Sequence, residues 1–173
     1  MNRERVNMDF IKDQANLGHL ETMRTVGHII TSAGVGCASY LLYKSRKAAT
    51  VSFLVGFLID LDHIFDYIGA HGWKLDWARF SEAAHENYSG KLYLPLHSYE
   101  LLALFFLLFK GPSRQPYRVG ITLSILTHLL LDQRCNPSRK AGTYFLAHRI
   151  RKRFNASEIL HADYREQKHS HKH

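Results

Sequence analysis

A histidine and an aspartate stand four residues apart inside an otherwise apolar run, Ser124-Ile-Leu-Thr-His128-Leu-Leu-Leu-Asp132. Burying an ionisable side chain among leucines is costly unless it finds a partner. Any fold of this chain must therefore give both groups something to bind. At a spacing of four they share one face of a helix. There they can hold one metal ion between them, or form a buried hydrogen bond in which the aspartate orients the imidazole.

The same anomaly recurs in three other apolar stretches. One ends in Asp60-Leu-Asp62-His63-Ile-Phe-Asp66, where Asp60 and His63 are three apart and Asp62 and Asp66 four apart. Another opens on His97, with Glu100 one turn further on, and His28 lies one turn inside the first. A lone histidine such as His28 is ordinarily a hydrogen-bonded core residue, and Asp60–Asp66 alone could be a solvated helix end. Together on separate apolar helices, His28, Asp60, Asp62, His63, His97, His128 and Asp132 form the mixed donor set of a divalent metal site. Zinc is the first expectation, with manganese or iron as alternatives, and one or two ions. Asp60 or Asp62 could bridge two ions. Asp62 and Glu100 are the catalytic candidates, Glu100 as a general base or as a partner of His97. His85 is a candidate extra ligand. Ser98 adjoins His97, but neighbours on a helix point apart, which disfavours it as a nucleophile. His19 and His71 read as surface residues.

Helix-period patterning runs throughout and strand-like alternation is absent, so the expected fold is all-α: a single-domain multi-helix bundle with a metal site between helices. A polar lead-in occupies 1–24, the helical metal-site domain 25–155, and a polar His-rich tail 156–173. Within the domain the expected helices cover about 20–43, 48–68, 96–110, 116–132 and 144–154, with a short one near 76–85. Ser32-Ala-Gly34-Val-Gly36 allows close backbone approach in the first. Gly69 and Gly72 end the second, Pro95 suits the first turn of the third, and Gly111-Pro112 stops it.

The 173 residues suit one domain, and 46% apolar with 22% charged residues suits a folded chain. Cys37 and Cys135 share no metal-binding or redox spacing and read as reduced thiols of an intracellular compartment. Residues 1–24 are polar and do not read as a secretory signal. Spanning helices need roughly 20 mostly apolar residues, and only 26–43 approaches that. The mean hydropathy of −0.24 also disfavours a polytopic protein. With basic residues in the 44–47 and 110–118 loops and equally in the N-terminus and 134–153, charge gives no consistent orientation. The expectation is core helices associated with the cytoplasmic membrane, integral or peripheral, with a cytoplasmic protein as the alternative.

At these residues the chain resembles the YdjM-like family of predicted inner-membrane metal-dependent hydrolases. The matches are His28, Asp60-Leu61-Asp62-His63, His97-Ser98 and His128-Leu129-Leu130-Leu131-Asp132, in the family's order, across about residues 26–133. More distantly it is similar to the all-helical zinc-dependent phospholipase C group. The chain departs from the family in having Ile59 where a proline usually precedes the Asp-x-Asp-His. It also lacks an extra histidine shortly before the His-Ser, a place His85 would have to fill from a longer loop. The resemblance implies a reaction class without a substrate.

Lysine and arginine outnumber aspartate and glutamate by 23 to 15, a formal charge of +8 that favours an anionic partner. Arg134, Arg139 and Lys140 follow the last ligand and are the expected anion attractors. With Arg149, Arg151, Lys152 and Arg153 they suggest a basic amphipathic surface helix. The expected function is hydrolysis of a phosphoester or lipid-like anionic substrate through metal-bound hydroxide. The alternative is a non-catalytic membrane-associated helical protein with a structural metal or buried polar core. Nucleic-acid binding ranks third, because no nucleic-acid recognition motif appears.

Overall fold

Helix α1, Val26–Tyr43, buries Ser32, Val35, Gly36 and Ser39, a stripe at three-and-four spacing made almost wholly of small residues. The chain reverses at Lys44, which adopts φ 53. Helix α2, Arg46–Leu58, is capped by the Ser45 side chain, which accepts the Ala48 N–H. It buries Ala48, Ser52 and Gly56, again at a spacing of four. Helix α5, Gln115–Cys135, lies against both and buries Gly120, Ile121, Ser124, Ile125, His128, Leu129 and Asp132. The structure is a computed structural model that describes residues 26–74, 76, 90–135 and 141–160. Those residues form an all-α bundle, with an isolated bridge between Lys91 and Asn155.

Small side chains let the three backbones approach, and serines join them. The Ser124 hydroxyl donates to the Ser52 carbonyl at 2.6 Å, and the Ser52 hydroxyl donates to the Ala48 carbonyl at 2.7 Å. A Cβ on Gly120 would lie 1.9 Å from Ser52 Oγ, and one on Gly56 would lie 2.7 Å from Ser32 Oγ. Gly36 faces Ala49 and Phe53 closely, whereas Gly34 has open space, so only part of the small-residue run is used for packing.

Large apolar side chains point the other way. Ile30, Leu41, Leu42, Phe57, Leu61 and Phe65 are exposed among the described residues. Helix α4, Tyr99–Leu108, was expected as a core helix but has no buried residue, and its Leu104, Phe106, Leu107 and Leu108 face outward. Its other face turns Tyr99, Leu102 and Phe105 onto the buried cluster of Ile59, Ile121, Ile125, Leu129 and Tyr144. Two helical segments, Val26–Tyr43 and Arg46–Gly69, are long and apolar enough to cross a membrane.

Three expected helices are divided differently. The second breaks into α2, a tight 3-10 turn Ile59–Asp62, and α3, His63–His71, which Gly72 ends at φ 74. The break follows from tertiary bonds: Asp62 turns inward to accept backbone N–H groups of Leu96 and His97. The third starts only at Tyr99, because the Ser98 hydroxyl caps it by accepting the Leu101 N–H, leaving Pro95 and His97 in the preceding turn. The basic C-terminal helix shrinks to a 3-10 turn Ala141–Tyr144 and a short helix α6, Leu146–Arg151. It stops where Arg153 and Phe154 take positive φ. Helix α7, Ala156–Ile159, then packs Ala156, Ile159 and Leu160 on Leu92 and Leu94. Among the described residues, 156–160 are thus packed against the rest of the bundle. The lead-in 1–24, most of the short helix near 76–85, and 161–173 lie outside the described residues.

Candidate metal centre

The hairpin order of the bundle brings four chain segments to one end. Helix α1 starts there with His28, and α2 delivers Asp60 and Asp62 in its terminal 3-10 turn, with His63 opening α3. His97 comes from the turn before α4, and α5 ends its buried face with His128 and Asp132. Two imidazoles are fixed from behind. His128 Nδ1 lies 3.0 Å from the Gly56 carbonyl, which can only accept, so that nitrogen carries the proton. His97 Nδ1 lies 3.0 Å from the Asp62 carboxylate, whose Oδ2 also accepts the Leu96 N–H at 2.8 Å.

With their Nδ1 atoms committed, both rings present Nε2 to the same two carboxylates. His97 Nε2 is 3.2 Å from Asp60 Oδ1 and 3.2 Å from Asp132 Oδ2. His128 Nε2 is 3.1 Å from Asp60 Oδ1 and 3.8 Å from Asp132 Oδ2. His28 Nε2 approaches Asp132 Oδ1 at 3.2 Å, and His63 Nε2 approaches Asp60 Oδ1 at 3.9 Å. A neutral imidazole lone pair facing carboxylate oxygens is repulsive, so the arrangement requires a cation, either a proton or a metal ion. Burial works against a charge on His97, yet the Asp62 carboxylate and the bonds to Asp132 and Asp60 raise its pKa well above the ordinary histidine value.

The donor set also fits an ion. Tetrahedral ligands at 2.0–2.1 Å from zinc stand about 3.3 Å from one another, close to most of these separations. Three overlapping groups have donor atoms within 4.8 Å of each other: His28–Asp60–His128, Asp60–His63–His97 and His97–His128–Asp132. Six of the seven expected ligands are thus brought together. Asp62 stands behind them as the group that orients His97, so its expected place as a direct ligand or bridge passes to Asp60. Access is one-sided, because the Asp60 side chain is 45% exposed while those of His97 and Asp62 are fully buried.

Other expected residues fall elsewhere. Glu100 is outside the cluster, and its carboxylate accepts the Leu146 and Ala147 N–H groups at 2.9 and 3.0 Å, capping α6. Ser98 is a buried helix cap. Arg134 is exposed two residues past Asp132. Arg149 is not on a basic surface at all: it is fully buried, a position that no local sequence signal marks. Its guanidinium donates to the carbonyls of Tyr93, Leu94 and His97. His85, Arg139 and Lys140 lie outside the described residues. Comparison with protein-family models, curated proteins and solved structures returns no match, so the site rests on its own geometry.

Proposed function

We propose that the cluster is the centre of a metal-dependent hydrolase acting on a phosphoester or lipid-like anion at a membrane. The observation that carries this reading is the pair of imidazoles tethered through Nδ1 whose Nε2 atoms converge on Asp60 and Asp132. Such backing of each ring by a carboxylate or carbonyl is how metal-ligating histidines are held. His28, Asp60, His63, His97, His128 and Asp132 would hold one or two ions, with zinc preferred for its imidazole and carboxylate donors. A divalent ion supplies Lewis acidity toward a phosphoryl or carbonyl oxygen and activates water at neutral pH. The protein fixes the donors: Asp62 holds the His97 ring and Gly56 holds the His128 ring. Asp60, half-exposed, marks the side from which substrate enters. Arg134, exposed beyond Asp132, draws anions toward that end.

The membrane part of the reading is supported by an inverted distribution of side chains. Glycine and serine pack the seam of α1, α2 and α5 while Ile30, Leu41, Leu42, Phe57, Leu104, Phe106 and Leu107 face outward, as side chains of helices in lipid do. The resemblance of the ordered motifs to those of the YdjM-like hydrolases is in keeping with this reading. A second reading takes the near-complete burial of His97, His128 and Asp132 as that of a closed structural staple.

Turnover of a generic phosphodiester separates the two. With zinc or manganese added, the wild type should hydrolyse it at least ~100-fold faster than His128→Ala, which loses a ligand. Equal background rates in the two proteins, with chelation lowering only the melting temperature, would leave the staple reading.

A further inference from the structure

The buried guanidinium of Arg149 grips the segment that carries one of the candidate ligands. It is 0% exposed and donates to the carbonyls of Tyr93 and Leu94 and, at 2.9 Å, of His97. This stretch has no regular secondary structure to satisfy its backbone, and Leu94 is held at φ 39. Burying a guanidinium there is sustained by the carbonyl dipoles and by the nearby Glu100 carboxylate. Glu100, three residues after His97, in turn accepts the first N–H groups of the helix on which Arg149 sits. The two contacts run in opposite directions between the His97 segment and α6 and form a reciprocal clamp.

The consequence falls on His97. Its backbone N–H donates to Leu94 and to Asp62, its ring Nδ1 bonds Asp62, and its carbonyl accepts from Arg149. Amide, ring and carbonyl are each fixed, so the direction of Nε2 is set on both sides. We propose that Arg149 is a positioning residue of the metal centre, aiming His97 through its backbone, with Glu100 aligning the helix that delivers it. The proposal rests on the metal reading of the cluster. A planar fork that spans three carbonyls is a task for arginine. Lysine keeps the charge but offers a compact ammonium that cannot span them.

The test compares wild type, Arg149→Lys and Glu100→Gln as full-length proteins. Zinc affinity is read by competition with a chromogenic chelator, and site geometry by the visible absorption of the cobalt(II)-loaded protein. Arg149→Lys should bind zinc ~10- to 100-fold more weakly, as for other losses behind a ligand. Its cobalt spectrum should shift in wavelength or intensity. Glu100→Gln, which perturbs only the cap, should move both in the same direction by less. A merely structural arginine would lower the melting temperature and leave the cobalt spectrum unchanged, overturning the proposal. If Arg149→Lys does not fold, Glu100→Gln decides: wild-type zinc affinity and spectrum in that variant would overturn it. Wild type that binds no zinc or cobalt would instead sink the metal reading, and this proposal with it.

Discussion

Replacing Gly120 with alanine should destabilise the protein by about 1–3 kcal/mol, the usual cost of overpacking a tight interior. The new Cβ would stand 1.9 Å from Ser52 Oγ, 3.0 Å from Ser39 Oγ and 3.1 Å from Ser52 Cβ. Ser52 cannot simply rotate away without giving up its bond to the Ala48 carbonyl. Either α5 moves off α2 or a buried hydroxyl loses its partner. Adding Ser52→Ala removes the closest atom, so the double variant should recover part of the loss, a coupling visible in a double-mutant cycle. Gly34→Ala supplies the contrast, because nothing lies within 4 Å of that position. On an exposed helical site alanine is favoured over glycine by up to about 1 kcal/mol. Equilibrium unfolding of the four variants measures all of this. If Gly120→Ala were as stable as Gly34→Ala, the seam would not be as close as described.

Asp62→Ala should be costlier still. The carboxylate is buried and accepts the Leu96 N–H at 2.8 Å, the His97 N–H at 3.3 Å and the His97 ring at 3.0 Å. Removing it strands the Leu96 N–H and the His97 ring, leaves the His97 N–H only its bond to the Leu94 carbonyl, and takes away the charge facing His97. Breaking a buried pair in this way costs about 3–5 kcal/mol. Asp62→Asn, which keeps an acceptor oxygen but no charge, should fall between alanine and wild type. Zinc affinity should drop ~10- to 100-fold in the alanine variant, as it does when the group behind a ligating histidine is lost. Unfolding curves and metal competition on the same preparations read both effects. An Asp62→Ala protein with wild-type stability and affinity would show that His97 is not held by this carboxylate.

The His/Asp cluster was legible because burying charge is expensive. His128 and Asp132 in a leucine run, and Asp60 at the end of another, have few ways to be satisfied except through one another. Their helical spacing already put each pair on one face, and the hairpin order of the helices did the rest. What was hidden depends on contacts far along the chain. Nothing local separates Asp60 from Asp62; the 3-10 turn gives one to the centre and the other to the backbone of a segment 34 residues later. Arg149 lies in a basic stretch where every arginine looks alike, and the carbonyls that draw it inward belong to residues more than 50 positions earlier. Glu100 resembled a base because it follows His97, while the amides it caps lie beyond residue 145. Polarity also hid the packing of the chain beyond 155, where Ala156, Ile159 and Leu160 complete a small apolar cluster.

The most direct test of the metal centre is elemental analysis of the purified full-length protein and of His128→Ala/Asp132→Ala. Because the tail histidines can also bind metal, the ratio is read after stripping loosely held ions with a weak chelator. The wild type should retain one or two divalent ions per chain, and the variant, still helical by circular dichroism, should retain none. Equal metal content in the two proteins, or none in a folded wild type, would contradict the account.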